Sequence, residues 1–378
     1  MKILTLLLLT LSLLNPIQTL AVPIPPPPQL NATAYILQDY NSNQILMEKY
    51  ADSRIEPASL TKLMTAYVIF KQLRAGKVKL TDKVRISEKA WRMGGSKMFV
   101  RVDTHVSVEL LLQGLIIQSG NDASVALAEF IAGTEEAFTS LMNEEAKNMG
   151  LNNTHFMNCT GLPDAQHYTT VRDLVHLSQA LINDFPEYYH WYSEQKFTYN
   201  KITQPNRNLL LRRNSSVDGL KTGHTKAAGY CLVASAKRGE MRLVSVLVGA
   251  KSSRARARET EKMLDYGFRF FESYPLYKAK QPLDTESVWK GNKNELKLGL
   301  SKALSVTVPK GQYKQLSAKL YIDKHIMAPV VAGQQYGTLK IRLADKVILE
   351  RPLVALSSVE VGNIWNRLVD SFLLFFMK

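Results

Sequence analysis

Cysteine is almost absent from this 378-residue chain, which carries only Cys159 and Cys231. Two thiols that far apart exclude a disulfide framework and a cysteine-built zinc site, leaving at most one bridge or two buried thiols. Seven histidines are present, but neither HExxH nor another paired metal-ligand spacing occurs, so no metal or other cofactor is expected. The apolar run from Ile3 to Leu14 stops at Asn15-Pro16, short of the ~20 residues a membrane-spanning helix needs. Acidic residues are also in deficit: 33 Asp and Glu against 48 Lys and Arg give a formal net charge of +15. Such a balance disfavours basic partners and suits anionic ones, namely nucleic acid, acidic lipid headgroups or carboxylate-rich polymers.

What is present narrows this choice. Lys2, the apolar run and the small residues of Thr19-Leu20-Ala21 form a secretory signal peptide over residues 1–21. Export and the lack of a nucleic-acid motif argue against a nucleic-acid partner. Pro25 to Pro28 then predict a stiff, extended leader over 22–33.

From Ala34 to about Phe271, alternating apolar strands mix with amphipathic helical runs. A hairpin is expected at Ala34 to Leu37 and Ile45 to Met47, and helical spacing at Leu60 to Val68, Leu110 to Ile117 and Ala123 to Ile131. Two strands, Tyr230 to Ala236 and Met241 to Val248, precede a helix at Glu259 to Tyr266. Strands at both ends with helices between imply an α+β domain over 34–272 whose sheet joins its termini. Short strands at Leu304 to Val308, Leu316 to Ile322, Thr338 to Leu343 and Val347 to Leu356 predict a small all-β domain over 273–357. The remainder, 358–378, gathers Val361, Ile364, Trp365, Leu368, Val369, Phe372, Phe375 and Phe376 on one helical face. At 1.5 Å per residue the stretch Glu360 to Lys378 covers ~28 Å, but polar residues break its first half, so it is expected to lie in a membrane interface instead of crossing.

Three short motifs carry the chemistry: Ser59-Leu60-Thr61-Lys62, Ser119-Gly120-Asn121 and Lys221-Thr222-Gly223. Residues three apart on a helix are neighbours, so Ser59 and Lys62 share a face, and Pro57 sets Ser59 near the helix start. A serine hydroxyl is inert at neutral pH without a base within hydrogen-bond reach. Lys62 serves if burial and a second cation such as Lys221 lower its pKa. Ser119 then suits a proton relay to the leaving amine, and Asn121 a donor to a substrate carbonyl. Lys221 and Thr222 can hold an anion, while Gly223 lets a substrate backbone approach.

The content and order of these motifs resemble the low-molecular-mass penicillin-binding proteins, the D-alanyl-D-alanine carboxypeptidases. The resemblance runs from about Ala34 to the C-terminus and includes PASLTKLMT (Pro57 to Thr65), QSGNDA (Gln118 to Ala123), VDGLKTGHT (Val217 to Thr225) and GFRFFE (Gly267 to Glu272). It implies a β-lactamase/transpeptidase-like catalytic domain that removes the terminal D-alanine from peptidoglycan stem pentapeptides. In that reading Ser59 is acylated, Lys62 is its base, Ser119 and Asn121 form the second motif, and Lys221 and Thr222 bind the substrate carboxylate. The backbone N–H groups of Ser59 and His224 form the oxyanion hole. Arg207 matches a carboxylate-binding arginine and Arg256 a structural one. The family also implies β-lactam antibiotics as covalent inhibitors, and residence on the periplasmic side of the inner membrane through the C-terminal helix. Two departures stand out: Lys226-Ala227 replaces the family's usual acidic residue, and Arg207 to Lys221 is one residue short of the commonest spacing.

Other functions fit less well. A class A β-lactamase deacylates through a glutamate after the second motif, and none occurs between Thr154 and Leu181, where Asp173 reads as a helix-start residue. Such an enzyme has no use for a β domain or an amphipathic tail. An endopeptidase is chemically closer, though such relatives commonly lack the tail. A non-catalytic wall binder would have lost a motif residue, and all are present.

Overall fold

The computed structural model describes residues 24–376, so the expected signal peptide lies outside the described residues. The N-terminal body is built on an antiparallel five-stranded sheet. Its strands are β1 (Ala34–Asp39), β2 (Ile45–Lys49), β3 (Val217–Thr225), β4 (Gly229–Arg238) and β5 (Met241–Ala250), in the order β2-β1-β5-β4-β3. Pairing of β1 with β5 joins the two ends of the body, as the strand pattern required.

Period-two alternation divides this sheet between two cores. Ile36, Val233, Val244 and Val246 face the larger one, beneath α1 (Lys62–Arg74), α2 (Glu88–Arg92), α3 (Val108–Ile117), α4 (Asn121–Ala132), α5 (Glu135–Asn148) and α6 (Val171–Asp184). Their neighbours Leu37, Leu232, Leu243 and Leu247 face the other, against α7 (Ser253–Phe270). The last helix is longer than the apolar pattern of Glu259 to Tyr266. Ser252 caps it, its side chain accepting from Ala255 N, so an arginine-rich first turn is helical despite offering little apolar surface.

The proline-rich stretch does not stand off as a free leader. From residue 24 it lies on the body: Leu30 is buried, Thr33 N donates to Val248 O at 2.9 Å, and the Tyr266 hydroxyl donates to Pro25 O at 3.2 Å. Prolines lack N–H groups but keep their carbonyls as acceptors, which lets an extended run dock along α7.

An all-β unit follows. Strands β6 (Phe271–Tyr277) and β9 (Leu304–Pro309) form a ribbon. The main sheet contains β7 (Pro282–Trp289), β8 (Glu295–Gly299), β10 (Leu316–Ile322), β11 (Gln335–Leu343) and β12 (Lys346–Ala355), with the short Ile326–Met327 strand at the edge beyond β7. The pair β7 and β8 escaped the sequence pattern because polar residues crowd both, and Val288, Leu296 and Leu298 alone supply most of their buried apolar surface. The ribbon touches the N-terminal body through Ser273 Oγ, which donates to Asp39 Oδ1 (3.2 Å), and a Ser42–Thr307 hydroxyl pair (2.6 Å).

The terminal helix α8 runs from Ile364 to Phe376, later than the expected start at residue 358. Val359 is buried and bridges to Val330, and Val361 bridges to Gly291, so the intervening residues belong to the β unit. The polar side of α8 is fastened there as well: Asp370 Oδ2 accepts from Lys290 N (2.5 Å) and Asn366 Nδ2 donates to Gly291 O (3.5 Å). Its apolar side faces away from protein, leaving Trp365 74% and Phe375 72% exposed. No helix among the described residues is long and apolar enough to cross a membrane.

Candidate active site

The nucleophile turn is tighter than the helix expected from its spacing. Pro57 precedes a 3₁₀ turn over Ala58–Thr61, and the α-helix begins only at Lys62. A 3₁₀ turn eclipses residues three apart, so Ser59 and Lys62 still meet. Lys62 Nζ lies 3.2 Å from Ser59 Oγ, 2.7 Å from Asn121 Oδ1 and 2.6 Å from the Thr160 carbonyl, and Lys62 is wholly buried. Burial is the main cause holding this amine down to about 7; the nearby Cys159 opposes the shift and the Arg207 cation adds to it. The expected depression is therefore present; Arg207 supplies a cationic push at Lys62, and the repulsion between Lys62 and Lys221 is felt at Lys221.

Strand β3 brings the third motif alongside. Gly223 fits because a Cβ there would meet Ala58 Cβ at 3.2 Å and Pro57 O at 3.3 Å. Its bareness thus accommodates the nucleophile turn, and the same residue also lines the cleft. Lys221 is buried, donates to Thr222 O at 3.1 Å, and is pushed well below the ordinary lysine range by burial, then by Lys62, Arg207 and Arg256. His224 is exposed, its ring 4.1 Å from that of Tyr230. Arg256 is buried and ties three backbone carbonyls together, those of Gly223 (3.4 Å), Cys231 (3.3 Å) and Arg207 (3.2 Å).

The second motif turns between α3 and α4. Ser119 sits at φ 61°, and its buried Oγ has no hydrogen-bond partner among the described residues. Asn121 has committed partners as well: Oδ1 accepts from Lys62 and Nδ2 donates one hydrogen to Gly94 O at 2.7 Å, so the amide links the amine to the strap that follows α2 and keeps its second N–H at the cleft.

Several supporting residues were not assigned from sequence. Asp122, inside the QSGNDA run, accepts from the N–H groups of Met98 (2.9 Å), Phe99 (2.9 Å) and Val100 (3.2 Å), fixing the strap at the cleft edge. Asn158 Oδ1 accepts from Thr160 N (3.1 Å), Gly161 N (2.7 Å) and Leu162 N (3.2 Å), which presents the Thr160 carbonyl to Lys62. Gly161, at φ 86°, has its Cα packed on the nucleophile turn; a Cβ would lie 1.8 Å from Ala58 O. Where the family's acidic residue is missing, Glu56 reaches across and accepts from Thr225 Oγ1 at 2.9 Å.

Ser59, Ser119, Asn121, Thr160, Thr222 and Gly223 line a cleft of about 640 Å³, with Lys62 and Lys221 buried behind it. Arg207, Arg212, Arg256 and His224 border it, and no acidic side chain does among the described residues, so it suits a ligand with a negative end. Both cysteines are free and buried, and no group of three or more His, Cys, Asp or Glu gathers to hold a metal among the described residues. A serine hydroxyl beside a buried amine of lowered pKa, an unpartnered hydroxyl and a cationic end wall are parts that acyl transfer from a carboxylate-terminated peptide can use.

Comparison with known proteins agrees with this chemistry. Residues 21–252 match the family profile described as D-alanyl-D-alanine carboxypeptidase, and residues 271–361 match the penicillin-binding protein 5 C-terminal domain. The chain is 47% identical over 351 residues to D-alanyl-D-alanine carboxypeptidase DacC of Escherichia coli, covering 91% of this chain and 88% of that one. Penicillin-binding protein 5 of Haemophilus influenzae superposes with a TM-score of 0.86 at 43% identity, covering 88% of this chain and 99% of the other. Penicillin-binding protein D2 of Listeria monocytogenes, solved in its ampicillin-bound form, gives 0.60 at 30% identity, covering 65% and 100%.

The close approach at Gly161 yields a test. Gly161→Ala adds a Cβ into Ala58 O and strains a positive φ, so the nucleophile turn must shift. A misplacement of ~1 Å costs on the order of 100-fold in rate. Stopped-flow acylation by a chromogenic cephalosporin should show a loss of that order with circular dichroism retained. Wild-type acylation by this variant would show that the contact does not position Ser59.

Proposed function

The chain belongs to the D-alanyl-D-alanine carboxypeptidase family, and from that premise we propose how its residues carry out the reaction, on which substrate, and where. It is a serine peptidase with a role in the cell wall. The observation that carries the mechanism is the wholly buried Lys62 amine, wedged between Ser59 Oγ and two carbonyl oxygens. A neutral amine has two N–H bonds and one lone pair. Asn121 Oδ1 and the Thr160 carbonyl take the two hydrogens, which turns the lone pair toward the Ser59 hydroxyl.

Lys62 accepts the proton of Ser59 as Oγ attacks the carbonyl of the penultimate D-alanine. The backbone N–H groups of Ser59 and His224 hold the developing oxyanion. As the C–N bond breaks, the proton returns from Lys62 to the leaving D-alanine amine by way of the Ser119 hydroxyl, whose Oγ is otherwise uncommitted. Water then attacks the Ser59 ester with the same base, releasing the shortened peptide. Lys221, Thr222 and Arg207 hold the terminal carboxylate, with Arg256 fixing the backbone on either side. The substrate is a peptidoglycan stem pentapeptide, and a β-lactam acylates the same serine because its ring amide presents a carbonyl and a carboxylate in like arrangement.

Replacing the nucleophile tests the assignment. Ser59→Ala should abolish covalent labelling by a fluorescent penicillin and D-alanine release from an acyl-D-Ala-D-Ala peptide, with the fold retained. An adduct mapped by mass spectrometry to any other residue overturns the role of Ser59.

The base assignment has a pH signature. Lys62 is active as the neutral amine and its pKa is lowered to about 7, so acylation should rise as pH increases through about 7 and level off above it. Second-order acylation rates measured in a buffer series would show this limb. A rate independent of pH across that interval removes Lys62 as the base.

The same reading extends to location. The chain is exported and held at the periplasmic face of the inner membrane by α8, whose exposed apolar side would bury in the lipid interface at ~25 cal/mol per Å². A chain ending at Asn363 keeps the Val359 and Val361 bridges and loses only the helix. It should remain in the supernatant when sedimented with phosphatidylglycerol vesicles, with unchanged kcat/KM on small peptides, while the full chain pellets and resists a high-salt wash. Equal partitioning of the two forms would leave α8 without an anchoring role.

A further inference from the structure

A second concavity of similar size lies apart from the catalytic cleft. A groove of about 750 Å³ lies between α2 and the C-terminal half of α4, within the ~300–1,000 Å³ common for small-ligand sites. Two aromatic faces open into it, Trp91 (42% exposed) and Phe130 (38% exposed). Around them the charges are already compensated: Arg85 pairs with Asp103 at 2.7 Å, Glu88 with Arg92 at 2.6 Å, and Glu129 accepts from Ser87 Oγ at 2.6 Å. An ionised carboxylate has about four acceptor sites, so each keeps capacity for further donors. Flat apolar faces ringed by spare acceptors, with pairing that cancels much of the local field, suit a neutral, hydroxyl-rich and amide-rich ligand. They suit an anion poorly, in contrast to the acid-free cleft.

Position supplies the second argument. Helix α4 begins with Asn121 in the cleft and reaches the groove at Glu129, eight residues or ~12 Å along its axis. The strap after α2 lines the cleft through Gly95 and Ser96, and its Lys97 Nζ donates to Trp91 O at 3.0 Å, which ties it to the helix whose Trp91 lines the groove. In a stem pentapeptide four residues separate the scissile bond from the sugar that carries the stem, a reach of ~13–14 Å when extended. The two spans agree.

We infer that the groove between α2 and α4 is a saccharide subsite that holds the amino-sugar backbone of peptidoglycan while the attached stem reaches Ser59. Trp91 and Phe130 stack on sugar faces, and Asp103, Glu88 and Glu129 accept from hydroxyl and acetamido N–H groups. The inference rests on the stem-peptide reading above, and the experiment separates the two. Chitotetraose, a neutral oligomer of N-acetylglucosamine, serves as the glycan probe by calorimetry and tryptophan fluorescence. Turnover is compared for a disaccharide-linked pentapeptide and the free pentapeptide.

The wild type should bind chitotetraose and favour the disaccharide-linked substrate in kcat/KM by roughly fivefold to tenfold, the size of one or two aromatic contacts. Trp91→Ala should abolish chitotetraose binding and bring that ratio close to one, with free-pentapeptide kcat/KM unchanged; Asp103→Asn should weaken both glycan readouts partially. A wild type that neither binds chitotetraose nor discriminates between the substrates overturns the subsite. So does a Trp91→Ala variant that keeps the wild-type ratio, or that loses both substrates equally. Chitotetraose binding by an enzyme that cleaves neither pentapeptide would refute the stem-peptide reading and leave the subsite standing.

Discussion

A primary amine sealed from water without a carboxylate in hydrogen-bond contact is costly to keep charged, and the site depends on that cost. The hydrogen-bond partners of Lys62 are three neutral oxygens, on Ser59, Asn121 and Thr160. A carboxylate in place of any of them would stabilise the ammonium and remove the base. Neutral carbonyls instead satisfy the N–H groups while favouring the ammonium far less than a carboxylate would. The cationic surroundings act in the same direction, since Arg207 lowers Lys62, and Lys62, Arg207 and Arg256 all lower Lys221. In the proposed mechanism one arrangement of positive charge thereby serves two ends: it attracts a carboxylate-terminated ligand and shifts Lys62 toward its unprotonated form.

Each oxygen arrives on a different part of the chain, so the site exists only in the folded body. Ser59 comes from the 3₁₀ turn before α1, Asn121 from the first residue of α4, and Thr160 from a loop folded around Asn158. The sheet holds these parts together from one side, where Gly223 on β3 lies against the turn too closely for a side chain. From the other side Gly161 does the same. The nucleophile turn is thus pressed between two bare glycine surfaces, one on a strand and one on a loop.

Sequence alone made the cleft's reactive groups legible because each sits in a contiguous motif whose spacing has a geometric meaning. Ser59 and Lys62 meet at i and i+3 whether the turn is α or 3₁₀. The strands around the Lys237 to Glu240 turn were legible for a similar reason, as two apolar runs flanking a polar turn. Residues acting through backbone groups left no comparable mark. The Thr160 carbonyl is independent of side-chain identity, and Asn158 organises its loop through three main-chain N–H groups that no spacing rule anticipates. The type of Asn121 permits a donor to substrate, but its contacts to Lys62 at the start of α1 and to Gly94, 27 residues away on the strap, depend on tertiary placement that no local spacing displays. Strands β7 and β8 were missed on different grounds, their polar composition hiding a two-strand pairing that is supported from neighbouring strands.

The β unit shows how the same chain can hold two chemically opposed surfaces apart. Its ribbon is joined to the N-terminal body by hydroxyl contacts at Ser42 and Ser273, and its far loop at Lys290 to Asn292 fastens the polar side of α8. The cationic cleft needs water and a soluble, charged ligand; the exposed face of Trp365, Phe372, Phe375 and Phe376 needs apolar surroundings. Because Asp370 and Asn366 are committed to the β unit, α8 cannot roll to bury that face against its own protein without losing both contacts. The proposed anchor is therefore oriented by hydrogen bonds on its polar side, and in that proposal the all-β unit is the part of the chain set between the catalytic body and the helix.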